Sequence, residues 1–123
     1  MVVSYASSPA AEVIYADPPV DEAPTASIIA PDTCYRQIEF IGILAGTEKA
    51  TLAQKFIDAM LSAAFQEDIP EQMFMYPVNE DAQLPPEFVT WAQVAEQPAL
   101  LDPGLIAEKR EVWIAAWTET VVR

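Results

Sequence analysis

The stretch Val2-Val3-Ser4-Tyr5-Ala6-Ser7-Ser8-Pro9-Ala10-Ala11-Glu12 decides how the rest of this chain is read. Two β-branched residues run into a hydroxyl-rich turn, and Pro9 then opens an amphipathic run with its φ already near the helical value. The order is strand, ligand loop, helix N-terminus, a unit that the chain enters in its middle. Ser7 and Ser8 stand where they could cap the helix. The free N–H groups of its first turn would meet an anionic or electron-rich group. Tyr5 supplies an aromatic wall beside them.

Working outward, the chain has 123 residues, one ordinary domain in length, and 52% of them are hydrophobic, enough to build a core. Six Lys and Arg against 19 Asp and Glu give a net charge of -13, so a polyanion such as nucleic acid would be repelled and is not expected as a partner. An acidic surface suits a cationic ligand and suits a soluble protein equally. Cys34 is the one cysteine and there is no histidine. Internal disulfides, His-based zinc sites and Ser-His or Cys-His nucleophilic machinery are thereby removed together. No window reaches the ~18 to 20 apolar residues of a membrane span, and the N-terminus carries no basic region followed by an apolar signal core.

Along the chain, a short helix is expected from Ser8 or Pro9 to about Tyr15, stopped by Asp17-Pro18-Pro19. The acidic, proline-rich segment 17–24 is an exposed loop. Segments 25–30 and 34–44 have the β-branched and apolar content of strands. In the second, Tyr35, Gln37 and Glu39 share one face and Cys34, Arg36, Ile38 and Phe40 the other, so it is either a solvated sheet edge or a ligand-facing strand. A single helix over 50–67 carries Leu52, Phe56, Met60, Leu61 and Phe65 in a core stripe. A short strand or extended segment over 73–78 and a short helix over 87–94 follow. Asp102 caps a last helix with Pro103 at its first position, and the one-turn spacing of Trp113 and Trp117 favours buried packing over ligand stacking. Strands and helices mix, with too few strands for a complete doubly wound sheet.

At this point the residues resemble a family: the thiamine-binding proteins of bacterial ABC importers, within the type II periplasmic solute-binding proteins. The resemblance rests on Val3-Ser4-Tyr5-Ala6-Ser7-Ser8-Pro9, Leu52-Ala53-Gln54-Lys55-Phe56, Ala64-Phe65-Gln66, Ile69-Pro70, Met75-Tyr76-Pro77-Val78 and Trp113-Ile114-Ala115-Ala116-Trp117, in the family's order and spacing. It runs essentially end to end and corresponds to the C-terminal portion of a family member. What it implies is a partial type II fold, α/β, with incomplete lobes. In such proteins two lobes close by hinge bending on a ligand held between them. Within this chain, 1–30 would be a ligand-loop segment of one lobe, 31–78 a hinge strand and helix, and 79–123 the C-terminal helices.

The resemblance carries Tyr5, Ala6, Ser7 and Ser8 over as one wall of a thiamine site. Thiamine's thiazolium cation and flat aminopyrimidine suit aromatic faces, and hydroxyls suit its polar atoms or phosphates. Phe74 stands where relatives can carry a ligand-facing tryptophan, and Ala11 where a relative can place another tyrosine. Tyr35 and Gln37 are secondary ligand-binding candidates near the hinge. No enzyme activity, metal or cofactor is expected, thiamine being the transported ligand. The implied partners are thiamine or a related small cation and, for the parent protein, importer membrane subunits. The implied location is periplasmic or extracytoplasmic. With the N-terminal lobe missing, the exposed edges are expected to be covered by a second copy or by that lobe.

Other readings stay in view. A polyamine would suit acidic and aromatic pockets too, whereas ferric iron is disfavoured because Tyr5 is flanked by Ser4 and Ala6 rather than by another tyrosine. From a different class comes a truncated module stabilised by oligomerisation that has lost ligand binding; solution mass together with a thiamine titration separates it from a binder. An enzyme is the weakest reading, since Asp17, Asp21 and Glu22 sit together in the proline-rich loop and frame no acid–base pair.

Overall fold

A computed structural model describes residues 1–122. Six helices form among them: α1 Ser8–Ile14, α2 Ala50–Met60, α3 Ala63–Gln66, α4 Ile69–Met73, α5 Pro86–Trp91 and α6 Pro103–Val121. The expected helix starts hold where a local device sets them. Prolines occupy the first turns of α1, α4, α5 and α6. The Asp102 carboxylate accepts the Leu105 N–H at 3.0 Å, the cap expected of it.

The core sits where α1 meets α5. Ala10, Phe88 and Ala92 are buried there, with Ile14, Tyr76, Leu84 and Trp91 packed around them. Phe88 is 1% exposed, and its ring meets Tyr76 edge-on at 5.6 Å. Burial of such a side chain contributes about 2 kcal/mol or more, and the edge contact up to about 1 kcal/mol beyond it. The small Ala10 lets the backbone of α1 come close to that ring.

A second contact region is polar. The buried Gln66 donates to the Met60 carbonyl and accepts the Val78 N–H, both at 2.8 Å. Asn79 donates to the Leu61 carbonyl at 2.8 Å, so the extended segment after α4 is tied to the α2–α3 junction.

Three expectations fail. The helix expected over 50–67 breaks after Leu61: Ser62 is extended (φ −66°, ψ 150°) and its hydroxyl accepts the Phe65 N–H at 3.4 Å, so a new helix starts where a continuous one would have left that cap unused. The strands expected over 25–30 and 34–44 do not form. Among the described residues the one β-bridge is the parallel pair Tyr35–Ala99, which lies where segment 32–36 runs beside 95–99. Strand-like sequence becomes a strand only against a ladder partner, and 37–44 has none beside it, so the segment stays extended and exposed. Segment 73–78, expected as a strand or extended segment, starts with the last residue of α4, turns at Phe74 and then runs without regular secondary structure to Val78, whose N–H is held by Gln66. The observed architecture is therefore mostly helical, with almost no strand among the described residues, and does not by itself bear out the α/β arrangement expected.

The third failure concerns burial. Neither α2 nor α6 buries a residue, and Trp113 and Trp117 are 42% and 55% exposed, against the expectation that they pack inside. Leu52, Phe56 and Phe65 of the expected core stripe are likewise exposed. Periodicity marks which face can be buried; burial itself needs a surface to meet it.

Candidate functional site

The Tyr5–Ser8 loop is a tight turn closed by the Ser8 N–H on the Tyr5 carbonyl at 3.1 Å, leading into α1. Ser7 occupies the cap position, yet its hydroxyl does not cap the helix; it donates instead to the Phe74 carbonyl at 2.6 Å. The Ser8 hydroxyl is shared with that of Ser4 at 2.7 Å. The Ala6 carbonyl accepts the Ser27 hydroxyl at 3.0 Å, which lays the 25–30 segment under the loop. Both serines expected as caps thus fasten the loop laterally.

On the far side of the clasp, Phe74 ends α4 in the left-handed region (φ 58°, ψ 26°), a conformation costing about 1 kcal/mol or more for a residue with a Cβ. The bond from buried Ser7 helps to hold it. Phe74 is 40% exposed, and its ring meets Tyr15 edge-on at 5.8 Å with planes at 77°. Tyr15 in turn donates its hydroxyl to the Glu71 carbonyl of α4. Tyr5 is 64% exposed.

The structure therefore joins Ser7 to Phe74 directly, across 67 residues of sequence, with Tyr5, Ala6 and Ser8 in the same loop. Tyr35 and Gln37 lie elsewhere in the network. Tyr35 pairs with Ala99, Gln37 donates to Glu39 at 3.0 Å, and no hydrogen bond or ring contact among the described residues joins either to the Tyr5–Ser8 loop. Tyr15 is the residue that the sequence analysis passed over, reading it only as the end of a helix. Its spacing carried a signal, since Ser8, Ala11 or Glu12, and Tyr15 recur on one helical face.

Chemically the arrangement offers exposed aromatic rings and hydroxyls with no cationic side chain among them, which suits a flat, electron-poor or cationic ligand. Next to it, an open cleft of about 390 Å³ is lined by Pro9, Pro24, Thr25, Ser27 and Trp91, among others. No group of three or more His, Cys, Asp or Glu placed to hold a metal occurs among the described residues. Burial pushes the phenol of Tyr76, beside the core, up from its ordinary value. No helix among the described residues is long and apolar enough to cross a membrane.

Comparison with known proteins points first to a class: the relatives are, by name, periplasmic binding proteins rather than enzymes. The particular name is thiamine-binding periplasmic protein, and the chain is similar over its whole length to those of Salmonella typhimurium (33% identity), Escherichia coli (32%) and Brucella suis (29%). The chain spans 36% of the length of each of these relatives. No family model matches it, and no solved structure matches it.

Proposed function

We propose that this chain contributes one wall of a thiamine site in the solute-binding component of an ABC importer, acting outside the cytoplasmic membrane. The observation that carries this reading is the Ser7–Phe74 clasp, which ties the backbone of Phe74 to the loop that bears Tyr5 and Ser8, in a chain similar throughout to proteins named for thiamine binding. Tyr5 and Phe74 would face the thiazolium or aminopyrimidine ring, and Ser8 a polar atom or phosphate. Tyr5, Ala6, Ser7, Ser8 and Phe74 form the proposed site; Tyr35 and Gln37 join it only if the 34–44 segment is repositioned.

In the same reading the chain is the C-terminal portion of a two-lobed α/β protein, and segments 25–30 and 34–44 become strands against neighbours supplied by the remaining lobe or by another copy. No catalytic step is proposed. The test is a thiamine titration of intrinsic Trp and Tyr fluorescence at low salt, with solution mass recorded and spermidine and thiamine phosphates run alongside. Saturable quenching by thiamine, lost in Tyr5→Ala, supports the reading. A response to spermidine alone replaces it with a polyamine site, and no response to any of them overturns it for this chain.

The wide exposure of α2, α6 and segment 37–44 favours a second reading, a module that folds by association without binding ligand. An oligomer that ignores thiamine decides for it.

A further inference from the structure

We propose that Tyr15 is a positioning residue of the ligand wall, holding the 71–74 turn so that Phe74 presents its ring beside the Tyr5–Ser8 loop. The proposal rests on the thiamine reading of that loop.

The geometry begins with α1. Its cap residue Ser7 and its last neighbour Tyr15 stand eight positions apart, about 12 Å along a helix. Both reach the same short stretch of chain, Ser7 at the Phe74 carbonyl and Tyr15 at the Glu71 carbonyl. Glu71 lies in the last turn of α4, where carbonyls have no partner within the helix, so the Tyr15 hydroxyl satisfies an orphan acceptor. The Tyr15 ring then meets the Phe74 ring edge-on. Phe74 is thus gripped at three points, through its carbonyl, through its ring and through the turn that precedes it.

Two features separate this grip from ordinary core packing. Tyr15 is 57% exposed and Phe74 40%, so both aromatic residues stay open to solvent rather than sealed in the core. The backbone it holds is left-handed at a phenylalanine, a conformation that persists only where surroundings over-determine it. A fastening spent on an exposed, strained aromatic residue beside the ligand loop serves presentation of that ring. Ser7 fixes where the Phe74 backbone lies, and Tyr15 fixes which way its ring faces.

The test uses Tyr15→Leu, which removes ring edge and hydroxyl, and Tyr15→Phe, which keeps the ring. Phe74 ring resonances are followed by NMR with ring-labelled phenylalanine, assigned through Phe74→Leu, and thiamine affinity is measured by titration. Tyr15→Leu is expected to shift the Phe74 resonances and weaken thiamine about tenfold, the scale of one aromatic contact, while Tyr15→Phe recovers most of both. Phe74 resonances unmoved in a folded Tyr15→Leu chain overturn the proposal, as does a ring that moves with thiamine affinity unchanged. If the unaltered chain ignores thiamine, the thiamine reading falls and takes the ligand role of Tyr15 with it; the Phe74 shifts distinguish that failure from one in which Tyr15 never held the ring.

Discussion

The α1–α5 contact and the α2 and α6 helices are built from the same kind of sequence and reach opposite ends. Both carry large apolar residues, and prolines stand in the first turns of α1, α5 and α6 while α2 starts with neither proline nor side-chain cap, yet the first region buries Phe88 completely while the second leaves Phe56, Trp113 and Trp117 in solvent. The difference lies in what each face meets. α1 presents Ala10, small enough for close approach, to a ring that α5 holds in place; α2 and α6 meet no comparable surface. Local signals decide where a helix starts, whereas the stability of the unit comes from the one place where two faces coincide.

The comparison breaks most visibly at Phe88. Phe88→Ala is expected to cost about 3–5 kcal/mol, read from the urea midpoint by near-ultraviolet circular dichroism, while Phe56→Ala on exposed α2 stays within about 0.5 kcal/mol. Equal losses would mean that α2 is buried in solution and would point to association. Ser7→Ala comes next. It leaves the Phe74 carbonyl without its donor and should cost about 1–2 kcal/mol, with faster amide exchange over 71–76. An unaltered exchange pattern there would show that the clasp does not hold the turn.

What could be read in advance follows the same division. Pro9, Pro103 and Asp102 act through the backbone within one turn, so their helix starts were legible. Ser62 is also local, but a strong apolar stripe on both sides of it concealed that its hydroxyl would begin a new helix. The strands were not decidable, because β-branched composition states a preference and the ladder that realises it lies at no fixed distance along the chain. At the candidate site, the loop Tyr5–Ser8 stood out from its hydroxyls and its proline, whereas the Ser7–Phe74 bond and the Tyr15–Phe74 ring contact join residues 67 and 59 positions apart and have no sequence period to announce them. The serine read as a cap turned out to spend its hydroxyl across the molecule.

Asp102→Ala sharpens the contrast on the exposed side. Removing the cap should cost α6 about 1 kcal/mol and lower far-ultraviolet helicity, because α6 has little packing to compensate. The α1–α5 core signal should hardly move. If the two signals fall together, α6 is coupled to the core.

The smallest effect concerns pH. Burial against Phe88 raises the Tyr76 phenol above its ordinary value of 10.0, so the folded chain holds this proton more tightly than the unfolded chain does. The sign follows from that difference: the contribution is fully present below the unfolded value and is lost as pH rises through the folded one, since ionisation is easier once the ring is exposed. Melting temperatures taken from about pH 8 to about pH 11 should therefore fall on the alkaline side. In Tyr76→Phe, which keeps the ring edge-on to Phe88 and removes the titrating group, that fall should be shallower. An equally steep fall in the variant would locate the alkaline sensitivity outside the core and show that Tyr76 gives up its proton without loosening the α1–α5 contact.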